Sequence, residues 1–182
     1  GEAQSYGYAR SNHDQFLASA NPGDWYDRFQ GRVGYVVVTD REDAPATNTT
    51  YAALHEGLGL GVNDTAATGR YQLLASDDGV RTFAVVPGAT IRVTDPAAVG
   101  ATGEAVTATT EVAVEESGAN VTHEYAREAT VANGTATIRV AHPGEYRVGN
   151  ATVTVTDDDA VAGNRTTVPA AEAMSLLLAP QA

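Results

Sequence analysis

The sequence has no cysteine and no lysine, and only one Met, one Trp and three Phe in 182 residues. Without cysteine there is no disulfide framework, no thiolate zinc site and no cysteine nucleophile. All 11 basic residues are arginine, spread singly from Arg10 to Arg165, so no basic patch offsets the 23 acids and the net charge is −12. A field of that sign repels phosphate backbones, which excludes a nucleic-acid partner. Long apolar runs are also missing: the stretch Val33 to Val38 falls well short of the roughly 20 residues a membrane-spanning helix needs. No signal peptide opens the chain, and the lack of a starting Met is what a fragment would show. Gly-x-Ser-x-Gly elbows, phosphate-cradling loops with Lys, His-Glu-x-x-His pairs and EF-hand calcium loops are absent too.

What remains is a chain with 43% hydrophobic residues and 18 Gly, long enough for one or two globular domains with a real core. An acidic, lysine-free, Ala/Val/Thr-rich composition is suited to molar salt. Carboxylates hold water and cations there, and a Debye length of about 3 Å screens self-repulsion. The composition is that of an extreme halophile's protein. Six of the eight Asn head an Asn-x-Ser/Thr sequon, Asn48, Asn63, Asn120, Asn133, Asn150 and Asn164. Chance would give about one at this Ser and Thr content, so the pattern points to an exported surface open to N-glycosylation.

Along the chain, residues 1–90 read as a mixed α/β part. Short helices are expected after Ser11 and after Asn21-Pro22. The run VGYVVVT from Val33 to Thr39 is expected as a strand buried on both faces. A helix over Thr50 to Glu56 should end at the Gly57/Gly59/Gly61 cluster. Two strands, Arg70 to Ala75 and Val80 to Val86, should form a hairpin on Asp78-Gly79. Residues 91–167 read as an all-β domain with strands at 90–94, 105–115, 121–131, 135–141, 145–148 and 152–156. Asn133-Gly134 is its strongest hairpin signal and His142-Pro143-Gly144 the next. Residues 168–182 are a tail, either a short helix or disordered. The fold class expected is therefore α+β, an N-terminal α/β part followed by an antiparallel β-sandwich or barrel-like domain.

Candidate chemistry is sparse. His55-Glu56 and His123-Glu124 are adjacent residues whose side chains diverge, so solvent-facing polar positions are expected. Asp157-Asp158-Asp159 reads as a solvated charge run rather than a cation site. The cluster Asp24-Trp25-Tyr26-Asp27 has the composition of an edge that contacts sugar or peptide, and equally that of an amphipathic helix whose aromatics face a core.

VGYVVVTD (Val33 to Asp40), TTYAALHEGLG (Thr49 to Gly59) and RYQLLASDDGVRTFAVVPGATI (Arg70 to Ile91) come in that order. Asn133-Gly134-Thr135 and HPGEYRVGN (His142 to Asn150) follow. The set resembles the extracytoplasmic C-terminal region of archaeal oligosaccharyltransferase catalytic subunits over roughly residues 1–160. Thr82 to Ala89 carries most of the likeness. The resemblance implies a membrane enzyme that transfers a lipid-linked oligosaccharide to the Asn of a sequon, with a divalent cation, Mg or Mn, held by acids of its transmembrane part. The family's Trp-Trp-Asp-Tyr-Gly acceptor motif has no counterpart here. Asp24-Trp25-Tyr26-Asp27 is a partial echo in a different order, so acceptor binding is not carried onto it.

The expectation is thus a soluble, outward-facing domain without catalytic residues or cofactor of its own. Its partners would be its own transmembrane domain, an acceptor protein or peptide, and a lipid-linked sugar reached through the membrane part. The alternative is a noncatalytic cell-surface module, Ig-like or prealbumin-like, for adhesion or carbohydrate binding.

Overall fold

The computed structural model describes residues 34–40, 48–101 and 103–168. The helices expected after Ser11 and Asn21, and the tail after Val168, lie outside the described residues.

Ten strands and two short helices follow one another as β1 (Tyr35–Val38), α1 (Thr50–His55), β2 (Tyr71–Asp77), β3 (Val80–Val85), β4 (Ala89–Val93), β5 (Ala105–Glu116), β6 (Ala119–Thr130), β7 (Ala136–Val140), β8 (Gly144–Val148), β9 (Ala151–Val155), α2 (Asp157–Ala162) and β10 (Arg165–Val168). The architecture is mostly β-sheet. One sheet has the order β1-β3-β2-β5-β8-β9, with β6 added alongside β5; the other is β10-β4-β7. Both are open among the described residues.

Strand β5 organises the larger sheet. β6 pairs antiparallel along its whole length, from Ala105↔Thr130 to Glu116↔Ala119. Its other edge is shared. β8 pairs antiparallel at Ala108 and Thr109, and β2 pairs parallel at Glu115 and Glu116. The period-2 sequence explains why the sheet has one buried face. Val106, Ala108, Thr110, Val112 and Val114 are buried while Thr107, Glu111, Ala113 and Glu115 are exposed, as alternation on a half-covered sheet requires. β7 repeats the pattern with Ala136, Ile138 and Val140 buried. Both sheets and α1 contribute to a single hydrophobic cluster that runs from Val38 to Val168.

Three two-residue turns have positive φ at both central residues: Asp78-Gly79, Ser117-Gly118 and Asn133-Gly134. This is the backbone that matches hairpin twist. The first two join paired strands. The third is closed by Ala132 and Thr135, after which the chain leaves the larger sheet for β7.

Three expectations need correction. The Val33 to Thr39 run does contain a strand, but it is not buried on both faces. β1 pairs only with β3 among the described residues, and Tyr35 and Val37 are 69% and 55% exposed. Continuous apolar sequence marks a central strand only when layers cover both sides. His142-Pro143-Gly144 is no hairpin turn, because β7 and β8 belong to different sheets. It is the crossover between them. Asp157 to Asp159 form the first turn of α2, with Asp157 and Asp158 exposed to solvent. Finally, β10 was not expected: four residues, Arg165 to Val168, pair in parallel with β4 across a long separation.

Candidate functional site

Three places in the described residues bring polar chemistry together, and each is built from ordinary local rules. The most buried lies where β2, β6 and the crossover at His142 meet. The Tyr125 hydroxyl donates to the Thr68 carbonyl at 2.6 Å and accepts from the Ala141 N–H at 3.1 Å. The Tyr146 hydroxyl donates to the His142 carbonyl at 2.7 Å. Tyr125 meets the His142 and Tyr146 rings edge-on, with centroids 5.0 and 6.2 Å away. The His142 Nε2 faces the Leu73 N–H at 3.5 Å. It therefore stands as an acceptor, so the neutral ring carries its proton on Nδ1. Burial pushes His142 down to about 4 and the Tyr125 hydroxyl up to about 12, against the lowering effect of Arg127. Arg127 closes the same junction, its guanidinium donating to the Ala67 and Arg139 carbonyls.

The junction is buried and its hydroxyls have partners, so it acts as a structural lock. None of these residues stood out in the sequence as a site. The available signal was that Tyr125 and Tyr146 occupy inward positions of their strands, where a phenol needs a backbone partner.

A second place is the C-terminal end of β1. The N-cap Thr49 accepts from the Ala52 N–H and starts α1, which presents His55 stacked on Tyr51 with centroids 4.9 Å apart. The His55 Nε2 lies 2.8 Å from the Asp40 carboxylate and 3.0 Å from the Gly79 carbonyl. Both partners only accept, so Nε2 carries the proton. Gly79 has φ +77°, and a Cβ there would stand 2.2 Å from Asp40 Oδ2. An Asp-His pair becomes a nucleophile relay only with a hydroxyl or thiol on the ring, and His55 has none among its hydrogen-bond partners. His55 is thus a clasp and not the solvent-facing residue expected. His123, likewise, is not simply solvent-facing. Its Nε2 meets Glu116 Oε1 at 2.5 Å across the end of the β5–β6 hairpin. Neither histidine engages the glutamate next to it in sequence.

The third place is the turn into α2. Thr156 and Asp159 form a reciprocal capping box, with the Thr156 Oγ1 accepting from the Asp159 N–H and Asp159 accepting from the Thr156 N–H. The Thr156 backbone, then the Asn164 amide, hold the Asp159 carboxyl below its usual range. Three acids in a first turn also oppose the positive end of the helix dipole. No group of three or more His, Asp or Glu among the described residues could hold a metal ion. No helix among them is long and apolar enough to cross a membrane.

The sequon asparagines Asn48, Asn63, Asn120, Asn133, Asn150 and Asn164 are all exposed and lie on turns or strand ends distributed over the surface. Asp24, Trp25, Tyr26 and Asp27 lie outside the described residues. The sequence elements of the oligosaccharyltransferase resemblance map onto β1, α1, the β2–β3–β4 succession, the Asn133-Gly134 turn and β8 with its flanking turns.

No family model and no curated protein sequence matches the chain. Solved structures do. The chain is similar to the oligosaccharyltransferase of Archaeoglobus fulgidus in its apo form, at 14% identity and TM-score 0.50. It is similar, at 13% identity and TM-score 0.52, to the archaeal oligosaccharyltransferase AglB of the same organism in complex with an inhibitory peptide and a dolichol-phosphate. Each alignment covers 74% of this chain and 26% of that chain. The chain therefore spans about a quarter of the length of these proteins, and at such identity the likeness is one of fold.

Proposed function

We propose that this chain is an extracytoplasmic, noncatalytic domain of an oligosaccharyltransferase-like membrane glycosyltransferase, the parent moving a lipid-linked glycan to an acceptor, the Asn of a protein sequon. The observation that carries the reading is the fold likeness over 74% of the chain to AglB. The ordered sequence elements from Val33 to Asn150 support it independently. Within this reading the β-rich body is a rigid holder. Misplacement of reacting groups by about 1 Å can cost on the order of a hundredfold in rate, so a packed domain beside a membrane-embedded site contributes by fixing where the acceptor enters. The divalent cation belongs to the membrane part, as do the groups that meet the lipid-linked donor. An outer-face location and a halophilic archaeal source go with the reading, on the sequons and on a charge of −12 without lysine.

The direct test is transfer of a lipid-linked glycan to a sequon peptide, comparing the complete parent protein with the isolated 182-residue chain. The parent is expected to transfer and the chain alone to be inactive. A parent without hydrophobic spans, carrying only a signal peptide or further β-repeats, would overturn the proposal and assign the chain to a cell-surface module. The salt reading has its own measurement. The melting temperature should rise between roughly 0.1 M and 3 M KCl as the excess of acids is screened, and a flat profile would remove the halophilic interpretation.

A further inference from the structure

The six sequon asparagines share exposure but differ in what their side chains already do. The Asn63 Nδ2 donates to the Glu56 carbonyl at 2.9 Å, and its Thr65 hydroxyl donates to the Val62 carbonyl at 2.8 Å. The Asn164 Nδ2 donates to Asp159 Oδ1 at 3.0 Å, inside the network that caps α2. At Asn48 the sequon hydroxyl belongs to Thr50, buried in the first turn of α1. At Asn133 the Thr135 hydroxyl donates back to the Ala132 carbonyl at 3.1 Å, closing the turn.

Asn120 and Asn150 are different. Neither side chain, nor that of Thr122 or Thr152, is hydrogen-bonded among the described residues, and all four residues are exposed. In each case the sequon runs from a tight turn into a strand at an edge of the described sheet: among the described residues β6 pairs only with β5, and β9 only with β8. Residues i and i+2 of a strand point to one face, so Asn120 and Thr122 stand side by side on the open face of the hairpin. The small Ala113 lies opposite Thr122. Asn150 lies in the turn before β9, held by a bond from its N–H to the Val99 carbonyl at 3.0 Å. Thr152 follows on the exposed side of β9.

A transferase that requires Ser or Thr two residues after Asn must read both groups at once. Among the described residues, only these two sequons offer both groups exposed and free of hydrogen bonds, each at the start of a strand with a single described partner strand. We infer that Asn120 and Asn150 are N-glycosylation sites of the folded chain, taking glycan from a lipid-diphosphate-linked oligosaccharide. In the transfer the Asn Nδ2 forms a bond to the anomeric carbon, and the bond from that carbon to the phosphate oxygen breaks. The lipid diphosphate leaves with the electron pair and the amide gives up one proton to a base of the transferase. This inference concerns the chain as acceptor and stands or falls apart from the proposed role of its parent.

The experiment incubates the folded chain, and in parallel its proteolytic peptides, with a purified oligosaccharyltransferase and its lipid-diphosphate-linked glycan. Occupancy is read by glycopeptide mass spectrometry. The folded chain should carry glycan at Asn120 and Asn150, at least about fivefold above Asn63 and Asn164, the factor by which one ordinary hydrogen bond holds an amide in place. In peptides that ranking should vanish. Thr122→Ala should remove glycan from Asn120 alone and Thr122→Ser should keep it, on a chain whose circular dichroism is unchanged. Absence of glycan at both sites on the folded chain would overturn the inference, as would the same ranking in peptides and folded chain.

Discussion

His142 and His55 show how differently one residue type is used at two places in this molecule. His142 sits at the crossover between sheets, 2% exposed, with an N–H facing its Nε2 and the Tyr125 ring against it. His55 sits by the C-terminal end of β1, its side chain 12% exposed, donating to an Asp40 that is itself 75% exposed. At the first place the environment admits only the neutral ring; at the second a carboxylate in water faces the ring N–H. The core junction should therefore hold most of the stability and most of its acid sensitivity, while the clasp governs only the local behaviour of an edge.

The largest effect is expected from Tyr125→Phe. The ring still fills its space, but the Thr68 carbonyl and Ala141 N–H lose their partner in a buried junction. Leaving buried groups unpaired costs about 1–3 kcal/mol each, so a loss of about 3 kcal/mol in denaturant-measured stability is expected. A change below about 0.5 kcal/mol would mean that water reaches the junction. Acid titration comes next. His142 sits near 4 in the folded chain against about 6.5 unfolded. The unfolded state thus binds the extra proton first, and the contribution is full above pH 6.5 and disappears as pH falls to about 4. Across that window the loss amounts to about 3 kcal/mol at 1.36 kcal/mol per unit. Urea midpoints measured from pH 7 to pH 4 at constant salt should show it, and His142→Gln should flatten that part of the profile; an equal slope in the variant would assign the loss to carboxylates.

These two regions were not equally legible in the sequence. Strand existence was, because β5, β7 and β8 alternate strictly and Asp78-Gly79 and Asn133-Gly134 announce tight turns by composition. Sheet membership was not. A turn signal such as His142-Pro143-Gly144 reports that the chain changes direction, and pairing is decided by which buried faces meet afterwards. β10 is four residues whose strand state depends on β4, more than seventy positions earlier, and a parallel partner leaves no local mark. The VGYVVV run misled for a related reason: apolar sequence records what could be buried, while the position of β1 at a sheet edge leaves Tyr35 and Val37 outside. The sequons were legible as a pattern, but the differences among them lie in whether a side chain folds back onto a nearby turn or cap, as Asn63, Thr65, Thr135 and Asn164 do, or in the burial of Thr50, and composition announces neither.

The smallest effect sharpens the contrast at the clasp. Asp40→Ala removes one acceptor from His55 and leaves the Gly79 carbonyl in place. Because Asp40 is mostly in water, its contact with His55 belongs with surface pairs worth about 0.2–1 kcal/mol, and a global loss of only about 0.5 kcal/mol is expected. The local effect should be larger than the global one. Asp40 ties the end of β1 to the β2–β3 turn, and β3 is the one strand paired with β1 among the described residues, so amide hydrogen exchange at Val36 to Val38 should accelerate while Val112 and Val114 in β5 keep their protection. Equal acceleration in both strands would show that the edge and the junction unfold as one cooperative unit, and the distinction between an acid-sensitive core lock and a local clasp would then fail.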